Sequence, residues 1–264
     1  MSDSGVGLLV ALLGLAVGSF LNVCIHRLPR GASVIAPGSR CPDCRQPIRW
    51  FDNVPVASYV VLRARCRACR APISPAYPLV EVTTAALFLV QFQVLGLQPL
   101  LVARLLFTAA MIVLFVVDLR HHVLPNVVTL PGIAVGLTCS VGLEPGWFDA
   151  WLGAAGGGGL LLGIAKAYAA VRGREGLGLG DVKMLAMIGA FLGLPLACVT
   201  LAWASLLGAA IGIGMMRIAG VGWQHPLPLG SFLALAAVAA SLAGEPFLDW
   251  YSVATGGLLH RFLG

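Results

Sequence analysis

The sequence predicts an all-α polytopic membrane protein with about eight transmembrane helices. The first observation is composition: 59% of the 264 residues are hydrophobic and only 11% are charged, with a mean hydropathy of +0.92. Soluble domains are about 45–50% apolar and about a quarter charged. The second observation is that several uncharged runs approach the roughly 20 residues that cross a bilayer as a helix. The length of the chain therefore indicates how many membrane-spanning helices it contains and not how many soluble domains.

Eight apolar runs are the expected spans. They lie near residues 5–25, 79–97, 100–117, 127–143, 149–170, 183–195, 196–216 and 229–244. The first run lacks a basic leading region and an A-x-A site, so we expect a retained span and not a cleaved signal. The last stretch, "PFLDWYSVATGGLLHRFLG", is too short and broken to span, and Trp250 and Tyr251 suit an interfacial position.

Charge predicts the orientation. Nine of the 17 Lys and Arg residues lie within residues 27–70, which contain only two acids. Such an excess is typical of a cytoplasmic loop, so the N-terminus is expected outside. Only Arg104 and Arg261 then fall on the opposite side. The same basic segment also suits the anionic lipid surface, and we expect the bilayer, not nucleic acid, as its partner.

The basic loop contains two C-x2-C pairs. Cys41 and Cys44 form the first and Cys66 and Cys69 the second, with 21 residues between them. Two such pairs typically bring four thiolates around a structural zinc ion. Disulfides or redox pairs are the alternative, and a reducing cytosol disfavours them. The loop therefore predicts a small cytoplasmic zinc-binding domain after the first helix. The other cysteines lie in apolar segments and are expected to be inert: Cys24, Cys139 and Cys198.

Two acidic residues lie at the predicted cytoplasmic ends of membrane helices. Asp118 ends the third span in "LFVVDLRHH", and Asp181 begins the sixth in "GLGLGDVKM". Ionisable groups at membrane depth are costly, so they are functional candidates by default. A close carboxylate pair shares a proton, and one member can activate water while the other polarises a carbonyl. The sequence predicts a facing pair of Asp118 and Asp181 suited to peptide hydrolysis.

Residues around Asp181 have supporting interpretations. Gly178 and Gly180 allow irregular backbone and close substrate approach. Lys183 either holds Asp181, receives the substrate backbone or extends to the interface. The G-x-G spacing does not complete a dinucleotide fingerprint. A second group of glycines, 153 and 156–159, predicts a tight helix contact.

Other polar residues are less specific. Glu81, in "YPLVE", is a catalytic candidate, but a helix N-terminal acid or a buried ion-pair partner is favoured. His121 and His122 lack nearby metal-ligand partners, which disfavours a metal role.

These motifs together resemble one family, the type IV prepilin peptidases, also called leader peptidase/N-methyltransferases. The resemblance is carried by "GSFLNVCIHRLP", "CPDCRQPIRWFDNVPVASY", "CRACRAPISPAYPLVE", "VVDLRHHVLPN", "GLGLGDVKMLAMIGAFLG" and "HPLPLGSFLALAA", in that order along the chain. One departure is Ser231, where the last-span motif often has proline.

The resemblance implies an intramembrane aspartic endopeptidase of the GxGD type, with Asp118 and Asp181 catalytic. It implies prepilin or pseudopilin substrates with a basic leader, in type IV pilus or type II secretion systems of the bacterial inner membrane. It also implies N-methylation of the new N-terminus with S-adenosylmethionine, since the zinc loop accompanies the bifunctional members. No familiar S-adenosylmethionine-binding unit is visible in the sequence, so the methyl-donor site stays unassigned.

The expected organisation has three parts: a first helix at 1–25, a cytoplasmic four-cysteine domain at 26–78, associated with the methyltransferase, and a peptidase domain at 79–264. Two alternatives stay open. One is a peptidase without methyltransferase activity. The other is a proton-coupled transporter that uses the aspartates and Lys183 as a relay, although no paired-half repeat supports it.

Overall fold

The computed structural model describes residues 3–173, 178–219 and 227–254. Over these ranges the chain is helical and forms no β-strand. The helices are α1 (Asp3–Arg27), α2 (Ala57–Val61), α3 (Ala76–Leu95), α4 (Pro99–His121), α5 (Asn126–Cys139), α6 (Trp147–Arg172), α7 (Leu179–Ala219) and α8 (Leu229–Ala254). The all-α prediction is confirmed. Three features of the sequence lie outside the described part of the chain: the start of "GLGLGDVKM" at Gly176, the start of "HPLPLGSFLALAA" at His225, and Arg261.

The chain divides into two compact units, of which the first is Met1–Val127. Here α1 packs closely along α3. A Cβ atom added to Gly14 would lie 2.5 Å from the Cα of Ala85, and one added to Gly18 would lie 2.6 Å from the Cα of Glu81. The glycines therefore allow the two backbones to approach, as small residues do in membrane helices. An apolar cluster from three helices fills the core: Val10, Phe88, Leu101 and Leu105.

In the second unit, Val128–Gly264, α7 packs against both α6 and α8. A Cβ atom on Gly153 of α6 would collide with the carbonyl oxygen of Gly189 of α7, and the reverse also holds. Farther along α6, a Cβ on Gly157 would lie 3.2 Å from the Leu185 oxygen, whereas one on Gly159 would meet nothing within 4 Å. The predicted tight contact at the glycine-rich segment is confirmed, with Gly153 at its tightest point.

Within the described ranges, six helices are long and apolar enough to cross a membrane. The eight predicted segments are nevertheless all present as helix. One of them, α5, has only 14 residues, and two others are joined in the 41-residue α7. Gly193 interrupts α7 with φ 80° and ψ 171°, a positive φ that favours glycine. Pro195 follows it, so the break falls next to the predicted boundary at residues 195 and 196.

The last described helix is longer than the sequence predicts. The expected span ended near residue 244, but α8 continues through Pro246 to Ala254. Phe247 packs near Trp203 at 5.2 Å and near Trp250 at 5.9 Å between ring centroids. These aromatic contacts stabilise the end of the helix, which the broken hydropathy pattern alone does not indicate.

Candidate metal centre and candidate active site

The structure brings the four loop cysteines together. The Sγ atoms of Cys41, Cys44, Cys66 and Cys69 all lie within 4.8 Å of one another. The Sγ atoms of Cys41 and Cys69 are 3.8 Å apart. Four thiolates at the usual Zn–S length of about 2.3 Å around a tetrahedral ion would lie about 3.8 Å from one another. The donor set and its spacing therefore fit a closed four-thiolate metal site.

Each C-x2-C pair is held by the same short turn. The Arg45 N–H donates to the Cys41 carbonyl at 2.9 Å, and the Arg70 N–H donates to the Cys66 carbonyl at 3.0 Å. The two arginines have positive φ values of 58° and 62°. A single antiparallel bridge closes each turn, Arg40 with Pro47 and Arg65 with Pro72. The two turns thus present their thiols in matching geometry.

The matching geometry of the two turns corresponds to an eight-residue sequence repeat that the sequence reasoning missed. The pattern R-C-x-x-C-R-x-P occurs at residues 40–47 and again at 65–72. The cysteine spacing alone predicted the cluster. The flanking arginine and proline positions were the signal that the two halves are also alike in backbone.

The thiols of the second turn differ in acidity. Backbone amides of Cys69 and Ala68 donate to the Cys66 sulfur and lower its pKa to about 7. The Ala71 amide stabilises the Cys69 thiolate, but desolvation and the three neighbouring thiols outweigh it and raise the pKa of Cys69 to about 12. Four thiolates this close repel one another, so a bound cation is what allows all of them to ionise together.

An ion pair joins the second turn to the segment between the pairs. Arg67 lies between Cys66 and Cys69, and its Nη2 is 2.6 Å from Asp52 Oδ1, while its Nε donates to Asp52 Oδ2 at 2.8 Å. The hydrogen bond from Arg67 holds the pKa of Asp52 below its usual value. The Arg67 guanidinium also lies 5.5 Å from the Phe51 ring centroid. This bidentate contact fixes the one-turn helix at Trp50–Asn53 against the cysteine cluster.

Glu81 connects the loop to a membrane helix. It lies in the second turn of α3 and is 8% exposed. Its Oε2 accepts a hydrogen bond of 2.7 Å from the Val56 N–H, directly before α2. Val56 has a φ of 58°, which is unfavourable for a β-branched residue. Among the described residues Glu81 forms no ion pair. The sequence does not predict its role as an acceptor for the loop.

Asp118 lies in the last turn of α4 in the first unit. It is 5% exposed, and its carbonyl accepts a 2.8 Å hydrogen bond from the His122 N–H, which closes the helix. His122 itself adopts the left-handed conformation at φ 52°. The buried carboxyl group is therefore placed at the helix end where the sequence predicts it.

Asp181 lies in the first turn of α7 in the second unit. It is half-buried, and its N–H donates to the Gly178 carbonyl at 3.1 Å. First-turn amides of a helix favour an acidic side chain. Gly178 is exposed and precedes the helix, whereas Gly180 lies within its first turn. Lys183, two residues after Asp181 in α7, is also half-buried.

The two aspartates belong to different units of the chain. Their facing arrangement and their catalytic use stay predictions, as do the supporting roles of Gly178, Gly180 and Lys183. No metal cluster containing His121 or His122 occurs within the described residues.

The helices and the cysteine cluster define a polytopic membrane protein with a four-thiol centre outside its spans. Comparison with known proteins identifies the family. Residues 12–95 match the Bacterial Peptidase A24 N-terminal domain, and residues 105–213 match the Type IV leader peptidase family.

Several curated proteins are similar along most of their length. One from Aeromonas hydrophila is 37% identical over 268 residues, 92% of each chain. One from Pseudomonas aeruginosa is 35% identical over 264 residues, 91% of each chain. One from Myxococcus xanthus is 41% identical over 210 residues, 79% of this chain and 63% of the relative. All three are named prepilin leader peptidase/N-methyltransferase. No solved structure matches the chain.

The chain belongs to the type IV leader peptidase family. The resemblance seen in the sequence motifs is therefore confirmed. None of these relatives carries the name of a transporter, so the comparisons do not favour the proton-relay alternative.

Proposed function

We propose that this protein cleaves the leader peptides of type IV prepilins and pseudopilins and methylates the new N-terminal residue. Similarity to relatives named for both activities, along about nine-tenths of the chain, carries the proposal. The reaction takes place at the cytoplasmic face of a bacterial inner membrane. The excess of basic residues in 27–70 supports this orientation, because such an excess is typical of cytoplasmic loops.

Hydrolysis uses Asp118 and Asp181 as a pair that shares one proton. The ionised member removes a proton from water as the water oxygen attacks the scissile carbonyl carbon. The protonated member donates a hydrogen bond to the carbonyl oxygen and stabilises its developing charge. Proton transfer to the amide nitrogen then releases the leader. We assign neither aspartate a fixed role, because the proton belongs to the pair.

Gly178, the residue directly before α7, supports the close approach of an extended substrate. Gly178 is exposed, and a Cβ atom there would lie 3.5 Å from Asp181 Oδ2. A side chain at this position would therefore stand next to the catalytic carboxylate and narrow the approach. Lys183, two residues after Asp181, either orients that carboxylate or binds the peptide backbone.

The four-cysteine cluster holds zinc in a structural role. The thiol spacing supports this assignment because it is close to that of a tetrahedral four-thiolate site. Zinc stabilises residues 26–78, the region that we associate with methyl transfer. The peptidase domain is then residues 79–264.

Zinc binding is tested by metal analysis of purified protein. Cys66→Ser removes one ligand and should reduce bound zinc from about one ion per chain to a small fraction of that value. Cys198→Ser is the matched control, since Cys198 lies in α7, and it should retain zinc. Equal zinc content in the Cys66 variant and the control would contradict the assignment.

S-adenosylmethionine, when bound, supplies the methyl group that is transferred to the amino nitrogen of the mature N-terminus. One assay tests both activities. A purified prepilin is incubated with the protein in vesicles and with labelled S-adenosylmethionine, and the products are analysed by mass spectrometry. A shortened pilin with one labelled methyl group is expected. A shortened, unmethylated pilin would identify a peptidase alone, and an intact pilin would refute the proposal.

A further inference from the structure

A cavity lies in the first unit where three membrane helices end. Its volume is about 220 Å³. It is bordered by the last residues of α1, the first turns of α3 and the last residues of α4. Its polar lining includes Asn22, His26, Arg30, Tyr77, Arg120 and His121. None of the four loop cysteines lines this cavity.

The lining of the cavity is strongly basic. Arg30 and Arg120 carry permanent positive charge, and neither forms an ion pair within the described residues. One guanidinium nitrogen of Arg30 donates to the His26 carbonyl. The same nitrogen, Nη1, also lies 3.4 Å from His26 Nδ1. The Nε and Nη2 groups make no hydrogen bond to any described residue, so they are available to an anion.

No carboxylate lines the cavity within the described part of the chain. Three acids occur on the same helices: Asp3 at the opposite end of α1, Glu81 next to Val80, and Asp118 two residues before Arg120. Glu81 accepts the Val56 N–H, and Asp118 is buried. The described lining thus contains arginines and no carboxylate, which favours an external anion there.

On α3 and α4 the lining becomes apolar below the basic rim. Val80 and Val116 lie nearer the middle of their helices than Tyr77 and Arg120 do, whereas on α1 the polar Asn22 lies deeper than Ile25. The four-residue step from Arg120 to Val116 corresponds to about 6 Å along a helix. An anionic group bound at the rim would thus continue into a hydrocarbon-lined space.

We propose that this cavity binds the headgroup phosphate of an anionic phospholipid, with an acyl chain along Ile25, Val80 and Val116. Basic pockets between membrane helices are a recurring site for acidic lipid headgroups. The amphipathic lining distinguishes this ligand from a small soluble anion. The lipid then joins the ends of α1, α3 and α4 next to the basic loop.

The test is native mass spectrometry of the full-length protein with phosphatidylglycerol and, separately, phosphatidylcholine. The unmodified protein should retain one phosphatidylglycerol at concentrations where phosphatidylcholine dissociates. In the Arg30→Gln/Arg120→Gln variant, phosphatidylglycerol affinity should fall at least about tenfold. Arg172→Gln is the matched control, because Arg172 is an exposed arginine in the last turn of α6, and its affinity should be unchanged.

Several outcomes would overturn the assignment. They are equal retention of the two lipids by the unmodified protein, an equal loss in the Arg172 variant, and displacement of the lipid by inorganic phosphate or S-adenosylmethionine at similar concentrations. If the double variant does not fold, Arg120→Lys and Arg120→Gln replace it. Lysine should retain most of the preference for phosphatidylglycerol, and equal behaviour of these two variants would contradict the proposal.

Discussion

Glu81 is a single residue that links the cysteine loop to the membrane part of the first unit. Its carboxylate is nearly buried, and its bond to the Val56 N–H spans 25 residues of sequence. Val56 adopts a positive φ, which costs free energy for a β-branched residue. The hydrogen bond offsets part of that cost. We infer that Glu81 fixes the position of the segment before α2.

Replacing Glu81 with alanine should loosen this segment. The Val56 N–H loses its acceptor, so its amide should exchange with solvent about tenfold faster or more, since a hydrogen bond to a charged group contributes about 1.5–3 kcal/mol. Glu81→Gln is the matched control, because its side-chain oxygen can still accept. Hydrogen exchange measured by mass spectrometry on residues 54–61 checks this, and equal exchange in the two variants would contradict it.

Individual residues differ in how far their sequence context predicts them. The cysteine spacing predicts the cluster because two residues between ligands suit one short turn. The positions of Asp118 and Asp181 at helix ends follow from the limits of apolar runs. The partner of Glu81 cannot be predicted from the sequence, because an irregular loop has no periodicity from which to infer contacts across 25 residues.

At the scale of elements, the contact between α6 and α7 depends on two glycines. Gly153 and Gly189 face each other so closely that a Cβ atom on either would collide with the backbone of the other. Small residues at such contacts let helices associate by packing where hydrophobicity provides no drive. The glycine-rich run predicts this contact, although it does not predict which glycine is essential.

Gly189→Ala should separate α6 from α7 and destabilise the protein by about 1–3 kcal/mol, as overpacking does. Gly159→Ala is the control, since a Cβ atom there meets nothing within 4 Å. Both changes gain similar helix propensity, about 1 kcal/mol, so the difference isolates packing. Thermal unfolding in one detergent measures it. A lower midpoint for Gly159→Ala than for Gly189→Ala would refute this account.

The break in α7 is also an element-scale feature. The sequence predicts two spans that meet at residues 195 and 196, and the structure joins them with a single non-helical residue, Gly193. Hydropathy cannot distinguish a short loop from a kink, because both leave the apolar run uninterrupted. Proline at position 195 is the local signal, since it removes a backbone donor and disfavours a straight helix.

At the scale of the whole molecule, two units carry different parts of the proposed chemistry. The first contains the cysteine cluster, the basic cavity and Asp118, and the second contains Asp181. Composition predicts a membrane protein, because apolar runs of this length are typical of membrane-spanning helices. Sequence cannot supply the pairing of the aspartates, since the length of chain between two helices does not determine their separation. Their joint role is therefore the central claim to test.

Cleavage of a purified prepilin by protein in vesicles tests that claim most directly. Asp118→Asn and Asp181→Asn should each reduce the cleavage rate by at least about 1,000-fold, because neither amide can share the proton of the pair. Asp149→Asn is the control, as Asp149 is an exposed acid in the first turn of α6, and it should cleave at the original rate. Near-original cleavage by either the Asp118 or the Asp181 variant would contradict the account.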